Sequence, residues 1–231
     1  MRKYVVEFIG TFFLVLTVCG AVSARSEMAP VAIGGVLAAM IFAGGHISGG
    51  HFNPAVTLAV FLRGRLDVRD LPGYLGAQLL AGVVAAGIAR YVIVARPEVP
   101  PALTGRALGA AIVVEILFTF ALAYTVLNVA TSRDHPVNSF YGLAIGLVVV
   151  AGAAAVGGIS GGAFNPAVGL GVCLFGLAPW SMLSVYLLAT LAGGALAAYA
   201  FRFLNPGDLT PAAPTEDTSV TARRVPVARR S

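Results

Sequence analysis

Polar side chains able to do chemistry are scarce in this chain, and their spacing says more than their number. Glu7 and Glu115 are the acids that lie well inside long apolar runs. An acid in such a setting raises ion coupling as one reading. In the other, each carboxylate accepts hydrogen bonds from irregular backbone nearby. The placement of one acid in each of two similar segments favours this second role. Gln78 reads the same way, as a partner that holds a loop. His46 and His51 stand five residues apart, on different faces of any helix and with no third ligand near, so no metal site is expected. Cys19 and Cys173 lie in apolar runs and read as small buried side chains. No cofactor is implied, and no enzymatic activity is expected.

The richest polar feature is a phrase written twice: "SGGHFNPAVTLA" from Ser48 to Ala59 and "SGGAFNPAVGLG" from Ser160 to Gly171. Asparagine is a preferred helix N-cap and proline suits the first helical position. Asn53-Pro54-Ala55 and Asn165-Pro166-Ala167 therefore each predict the start of a helix. The glycine-rich residues before them cannot be helical, which strips their backbone groups of intrahelical partners. In hydrocarbon such groups cost several kcal/mol each unless they face protein or water. A water-filled pore resolves the conflict. Carbonyls of Gly49, Gly50, His51 and Phe52, and of Gly161, Gly162, Ala163 and Phe164, could then accept hydrogen bonds from a passing solute. Two helix N-termini meeting there, with the Asn53 and Asn165 amides beside them, would welcome a polar oxygen and repel a cation.

The elements that must hold these motifs follow from composition. Of 231 residues, 58% are apolar and only 11% charged, which makes the bilayer the expected solvent. Apolar runs long enough to cross about 30 Å of hydrocarbon fall near Tyr4–Val22, Pro30–Gly45, Leu71–Ala89, Leu108–Ala130, Asn138–Val156 and Pro179–Phe201. Pro54–Leu62 and Pro166–Leu174 are too short, at about 13 Å each as helices, and read as re-entrant half-helices. The opening "MRK" and the later "AVSA" resemble a cleavable signal peptide. Glu7 interrupts that run and the pattern recurs inside the chain, so a retained first span is expected.

Fourteen of the twenty residues from Gly45 to Gly64 are identical to those from Gly157 to Gly176, and "VVEFIGTF" at residues 5 to 12 is echoed by "VVEILFTF" at 113 to 120. Each copy, about residues 1–104 and 105–204, holds three spans, so the copies run through the membrane in opposite directions. That is an inverted repeat, with its site expected near the midplane. The net charge of +5 reflects topology: eleven Lys and Arg residues fall on the face that carries the N-terminus and four on the other. This bias places both termini in the cytoplasm. No nucleic-acid partner is expected, because the cations are not interleaved with aromatics. The segment 205–231, rich in Pro, Thr and Ala, reads as a disordered cytoplasmic tail.

The paired Asn-Pro-Ala motifs, the "SGGHFNP" lead-in, the Glu-x-x-x-Thr-Phe signature of spans one and four, and "AQ" at residues 77 to 78 make the chain resemble the aquaporin (major intrinsic protein) family. The resemblance covers about residues 4 to 204. It implies an all-α integral membrane protein of six transmembrane helices plus two re-entrant half-helices. One pore per protomer, a homotetramer and residence in the inner (plasma) membrane follow from the same resemblance. It also implies that Glu7 and Glu115 support the loops.

At the filter the chain departs from the family, which usually places Arg directly after the second motif. Here Val168 stands in that position, and the family's spacing puts Ile33, Ala153 and Gly162 at the other filter positions. Gly169 follows, where glycerol facilitators of the family carry Asp. The expected opening is wider and less polar than that of a water channel. A bacterial branch with an aliphatic residue here is associated with arsenic resistance, and the chain looks similar to it. The expected function is a passive channel for neutral As(OH)3, methylated arsenicals, glycerol or urea, with some water. A channel mainly for water, an ion-coupled secondary transporter and a non-conducting junction protein remain alternatives.

Overall fold

The computed structural model describes residues 1–94, 98–135 and 138–209. These residues are helical, without a strand: α1 (Arg2–Ser23), α2 (Ala29–Ser48), α3 (Pro54–Leu62), α4 (Leu71–Val92), α5 (Gly105–Val126), α6 (Tyr141–Ser160), α7 (Pro166–Phe175) and α8 (Met182–Leu204). A π-helical turn, Leu127–Thr131, extends α5, and a 3-10 turn, Pro206–Leu209, follows α8. Six of the helices are long and apolar enough to cross a membrane. The short α3 and α7 are not. At 1.5 Å per residue, the two half-helices laid N-terminus to N-terminus reach about 29 Å, one bilayer core.

Span boundaries differ from the apolar runs where local hydrogen bonding overrides hydropathy. The fifth span starts at Tyr141, not Asn138, because Asn138 holds a turn. Its Oδ1 accepts from the Phe140 N–H at 3.0 Å and its Nδ2 donates to the Val129 carbonyl at 2.8 Å. Sequence reasoning extended the sixth span back to Pro179, yet the helix begins at Met182 after a turn in which Met182 N–H donates to Pro179 O.

The two copies obey one internal two-fold, visible as residue pairs 112 apart. Gly34 of α2 and Gly146 of α6 meet at the crossing of those helices. A methyl group on either would lie 2.4 Å from the other's carbonyl oxygen. Gly82 of α4 receives the Ala167 carbonyl of α7, and Gly194 of α8 receives the Ala55 carbonyl of α3. Each half-helix is therefore seated on the last span of the opposite copy. The same crossing occurs at the half-helix C-termini. Arg90 donates to the carbonyls of Leu174 and Phe175 (3.1 and 3.4 Å), and Arg202 to that of Leu62 (2.8 Å). A guanidinium at a helix C-terminus satisfies orphan carbonyls and offsets the negative end of the dipole.

The segment expected to be a free tail from Asn205 begins instead with a docked turn. Asp208 is buried, with Oδ2 3.3 Å from Arg63 Nη2 and Oδ1 accepting the Arg133 N–H at 3.0 Å. Arg63, at the C-terminus of α3, also donates to the Thr131 hydroxyl and carbonyl (2.8 and 3.0 Å) and lies over the Phe201 ring. The rest of the expected tail, 210–231, lies outside the described residues.

Two predictions follow from this packing. Gly194→Ala and Gly82→Ala each press a methyl onto backbone that cannot move aside, and should cost about 1–3 kcal/mol in detergent-solubilised unfolding. Gly157→Ala, where a methyl meets nothing within 4 Å, serves as the control. Burial favours a neutral Asp208 carboxyl. The Arg133 N–H, the Ser132 hydroxyl and the two guanidiniums outweigh it and hold the group below the usual carboxylate range. The stabilisation is full above that range and is lost as pH falls through the lowered value. Asp208→Asn should cost about 3 kcal/mol at neutral pH and flatten this acid dependence in thermal melts.

Candidate pore

Each half-helix begins as the Asn-Pro-Ala motif predicts. Asn53 and Asn165 share one extended conformation, φ −159° and ψ 120°. Asn53 Oδ1 accepts from the N–H groups of Ala55 (2.8 Å) and Val56 (3.4 Å), and Asn165 Oδ1 accepts from Ala167 (2.9 Å). The proline that follows has no N–H to leave unpaired. The amide nitrogens serve a second purpose. Asn53 Nδ2 donates to the Phe164 carbonyl and Asn165 Nδ2 to the Phe52 carbonyl, both at 2.9 Å. The two loops are thus stitched together at the midplane, and each amide keeps one N–H for a solute.

This stitching revises part of the expected carbonyl ladder. Phe52 and Phe164 each spend a lone pair on the opposite loop. No protein donor among the described residues reaches the carbonyls of Gly49, Gly50, His51, Gly161, Gly162 or Ala163. Those remain available to a solute. Both phenylalanines are left-handed, φ 48°, an uncommon conformation for a bulky residue. They are held there by ring packing. Phe52 lies where any side chain on Gly10 would stand, and Phe164 packs on Gly152 and the Phe118 ring.

The buried carboxylates supply the rest of the support. Glu7 Oε1 accepts from Ser48 Oγ (2.7 Å) and the His51 N–H (3.0 Å), while Oε2 accepts from the Phe52 N–H and Gln78 Nε2, both at 2.7 Å. Glu115 repeats the pattern with Ser160 Oγ, the Ala163 N–H and the Phe164 N–H at 2.7 to 2.9 Å. Sequence reasoning missed a third support. The Tyr74 and Tyr186 hydroxyls donate to the Ser48 and Ser160 carbonyls at 2.6 Å. Their spacing of 112 residues is the repeat spacing and could have revealed them.

A lumen runs past both motifs. Asn53, Phe52, His51 and Val56 line it from one loop, and Gly162, Ala163, Phe164, Asn165 and Val168 from the other. Ile33 and Leu37 of α2 and Ile145 and Val149 of α6 close its sides. Of the four positions expected for the filter, the structure brings Ile33, Gly162 and Val168 to this lumen. Ala153 lies one helical turn beyond Val149 on α6, half-buried and outside the lining. No Lys, Arg, Asp or Glu is among the lining residues. Gly169 is closed by Tyr186, whose Cβ lies 2.4 Å from where a side chain would start, so no carboxylate fits there without displacing that ring.

Residues 1–201 match the Major intrinsic protein family. The glycerol uptake facilitator protein-like 6 of Lactiplantibacillus plantarum is 37% identical over 218 residues, covering 90% of this chain and all of that protein. Aquaporin NIP1-4 of Oryza sativa is 34% identical over 219 residues, covering 91% of this chain and 80% of the relative. The X-ray structure of the aquaglyceroporin from Plasmodium falciparum superposes with a TM-score of 0.76 over 90% of this chain and 98% of its own, at 21% identity, and speaks for the fold alone. With the half-helices, the stitched loops and the lumen in place, the chain belongs to the major intrinsic protein family, whose members are membrane channels and not enzymes.

Proposed function

We propose that this channel conducts small uncharged solutes larger than water: glycerol, urea and neutral hydroxides such as As(OH)3 and its methylated relatives, with water as a minor passenger. The observation that carries the reading is Val168, an aliphatic side chain at the lumen directly after the second motif, in a lining that also includes Ile33 and Gly162. An uncharged, weakly polar constriction lowers the dehydration penalty for a solute with apolar surface and does nothing for an ion. Cation exclusion then rests on the helix N-termini behind Asn53 and Asn165. The name of the bacterial relative, a glycerol uptake facilitator-like protein, agrees with a polyol-sized solute. The cytoplasmic placement of both termini and assembly as a homotetramer in the inner membrane belong to the same proposal.

An ion-coupled transporter needs a titratable group that changes partners during the cycle. Glu7 holds four donors and Glu115 three, all on the loop backbone or the side chains that brace it. Neither is free to exchange.

In reconstituted vesicles, glycerol and arsenite flux should rise linearly with concentration and be indifferent to an imposed proton gradient. Saturable uptake driven by the gradient would overturn the channel reading in favour of a transporter. Val168→Arg should narrow and charge the constriction, lowering glycerol flux about tenfold, equivalent to about 1.4 kcal/mol of added barrier, with a smaller loss for water. An unchanged glycerol-to-water ratio would remove Val168 as the size filter.

A further inference from the structure

The two half-helices end alike in backbone and unlike in charge. Arg65 N–H donates to the Val60 carbonyl and Gly64 N–H to that of Phe61, a closing turn built on the left-handed Gly64, φ 87°. In the second copy Leu177 N–H donates to the Val172 carbonyl, past Gly176 at φ 100°. The glycines recur because the turn requires them. The flanking side chains do not: Arg63 and Arg65 close α3 where Phe175 and Leu177 close α7. A charge placed for topology alone has no need to face the solute path.

Arg65 does face it. An open vestibule of about 850 Å³ continues the lumen on the face that carries the N-terminus, with His51 at the junction of the two. That is the size of a small-molecule site. Arg65 lines it from the end of α3, and Arg133 and His135 line it from the connection between α5 and α6. No Asp or Glu is among the described lining residues. Asp67 and Asp134 lie near Arg65 and Arg133 in sequence but outside the lining.

The cations are also short of counter-charge. Among the described residues Asp208 is the one carboxylate paired with them, 3.3 Å from Arg63 Nη2 and 3.9 Å from Arg133 Nε. The side chains of Arg65 and His135 have no partner among the described residues. Burial and the Arg65 and Arg133 charges push the Arg63 guanidinium below its usual value, against the pull of Asp208. Three guanidiniums gathered around one carboxylate leave two positive charges over, the complement of a phosphate dianion. Guanidinium N–H pairs also match the spacing of phosphate oxygens.

We propose that this vestibule binds a phosphate-type oxyanion between Arg65, Arg133 and His135, and that the bound anion obstructs the mouth of the lumen. The lumen wall has no charged side chain to replace an ion's hydration, so the anion stops where the cations are. The obstruction is one-sided, because the end of α7 offers Leu177 where α3 offers Arg65. Inorganic phosphate and the headgroup of an anionic phospholipid share this chemistry.

The test uses the full chain in phosphatidylcholine nanodiscs, titrated calorimetrically with inorganic phosphate at constant ionic strength. Arg65→Gln should weaken binding about tenfold, the worth of a charged hydrogen-bond donor. Arg69→Gln removes the same charge from the same face, outside the lining, and should leave binding unchanged. Nanodiscs containing phosphatidylglycerol separate the two sources. Unchanged phosphate affinity there assigns the site to the aqueous anion; affinity lowered in the wild type but not in Arg65→Gln assigns it to the headgroup. In vesicles with phosphate on both sides, water and glycerol flux should fall as phosphate rises, and Arg65→Gln should need about tenfold more for the same loss. Heat no different from that of chloride, or equal weakening by Arg69→Gln, would overturn the site. Flux indifferent to bound phosphate would overturn the obstruction. Neither readout depends on which neutral solute the channel carries.

Discussion

The structure depends on one constraint: backbone that is neither helix nor sheet has to survive at the middle of a bilayer. Each re-entrant loop exposes N–H groups for which hydrocarbon offers no partner. A single carboxylate per loop, Glu7 or Glu115, collects two adjacent backbone N–H groups and a serine hydroxyl. Burying an acid is costly on its own, and the cost is met because its oxygens are filled by donors that would otherwise be orphaned. The N–H groups are spent on the carboxylate, the Phe52 and Phe164 carbonyls on the opposite loop's asparagine, and the remaining loop carbonyls meet no protein donor among the described residues.

Inversion makes the two solutions interlock. Neither half-helix could stand alone, at about 13 to 15 Å long, with an unpaired end in the membrane. Each sits on a glycine of the opposite copy, has its C-terminus capped by an arginine of the opposite copy, and has its loop stitched by the asparagine of the opposite copy. These contacts couple the copies alongside the apolar packing of α2 against α6. They also make the midplane the most over-determined part of the molecule, which suits a selective pore better than a moving gate.

Much of this was legible in the sequence, because the motifs are local. Asn53-Pro54 and Asn165-Pro166 announce capped helices in any solvent, and a helix too short to span announces a re-entrant loop. What stayed hidden was long-range. Arg90 and Arg202 entered the reading as topology charges, although their guanidiniums serve the half-helices. Tyr74 and Tyr186 looked like ordinary span residues. Asp208 stood in a stretch whose Pro and Thr content suggested free chain, and one buried ion pair with Arg63 reversed that. Ala153, expected at the filter from motif spacing, stands one helical turn beyond Val149 of the lining. Spacing along a helix fixes a face but not how far the cavity reaches along it.

Symmetry also tells where to look for function. Positions that keep the fold are written twice: the glycines, the tyrosines, the capping arginines, the asparagines. Positions that give the pore a direction are written once. Val168 has a twin in Val56, and both line the lumen, so the apolar wall is symmetric there. His51, Thr57 and Gln78 have none, since Ala163, Gly169 and Thr190 stand at the matching positions. The lumen wall is thus alike in its aliphatic residues and unlike in its polar ones.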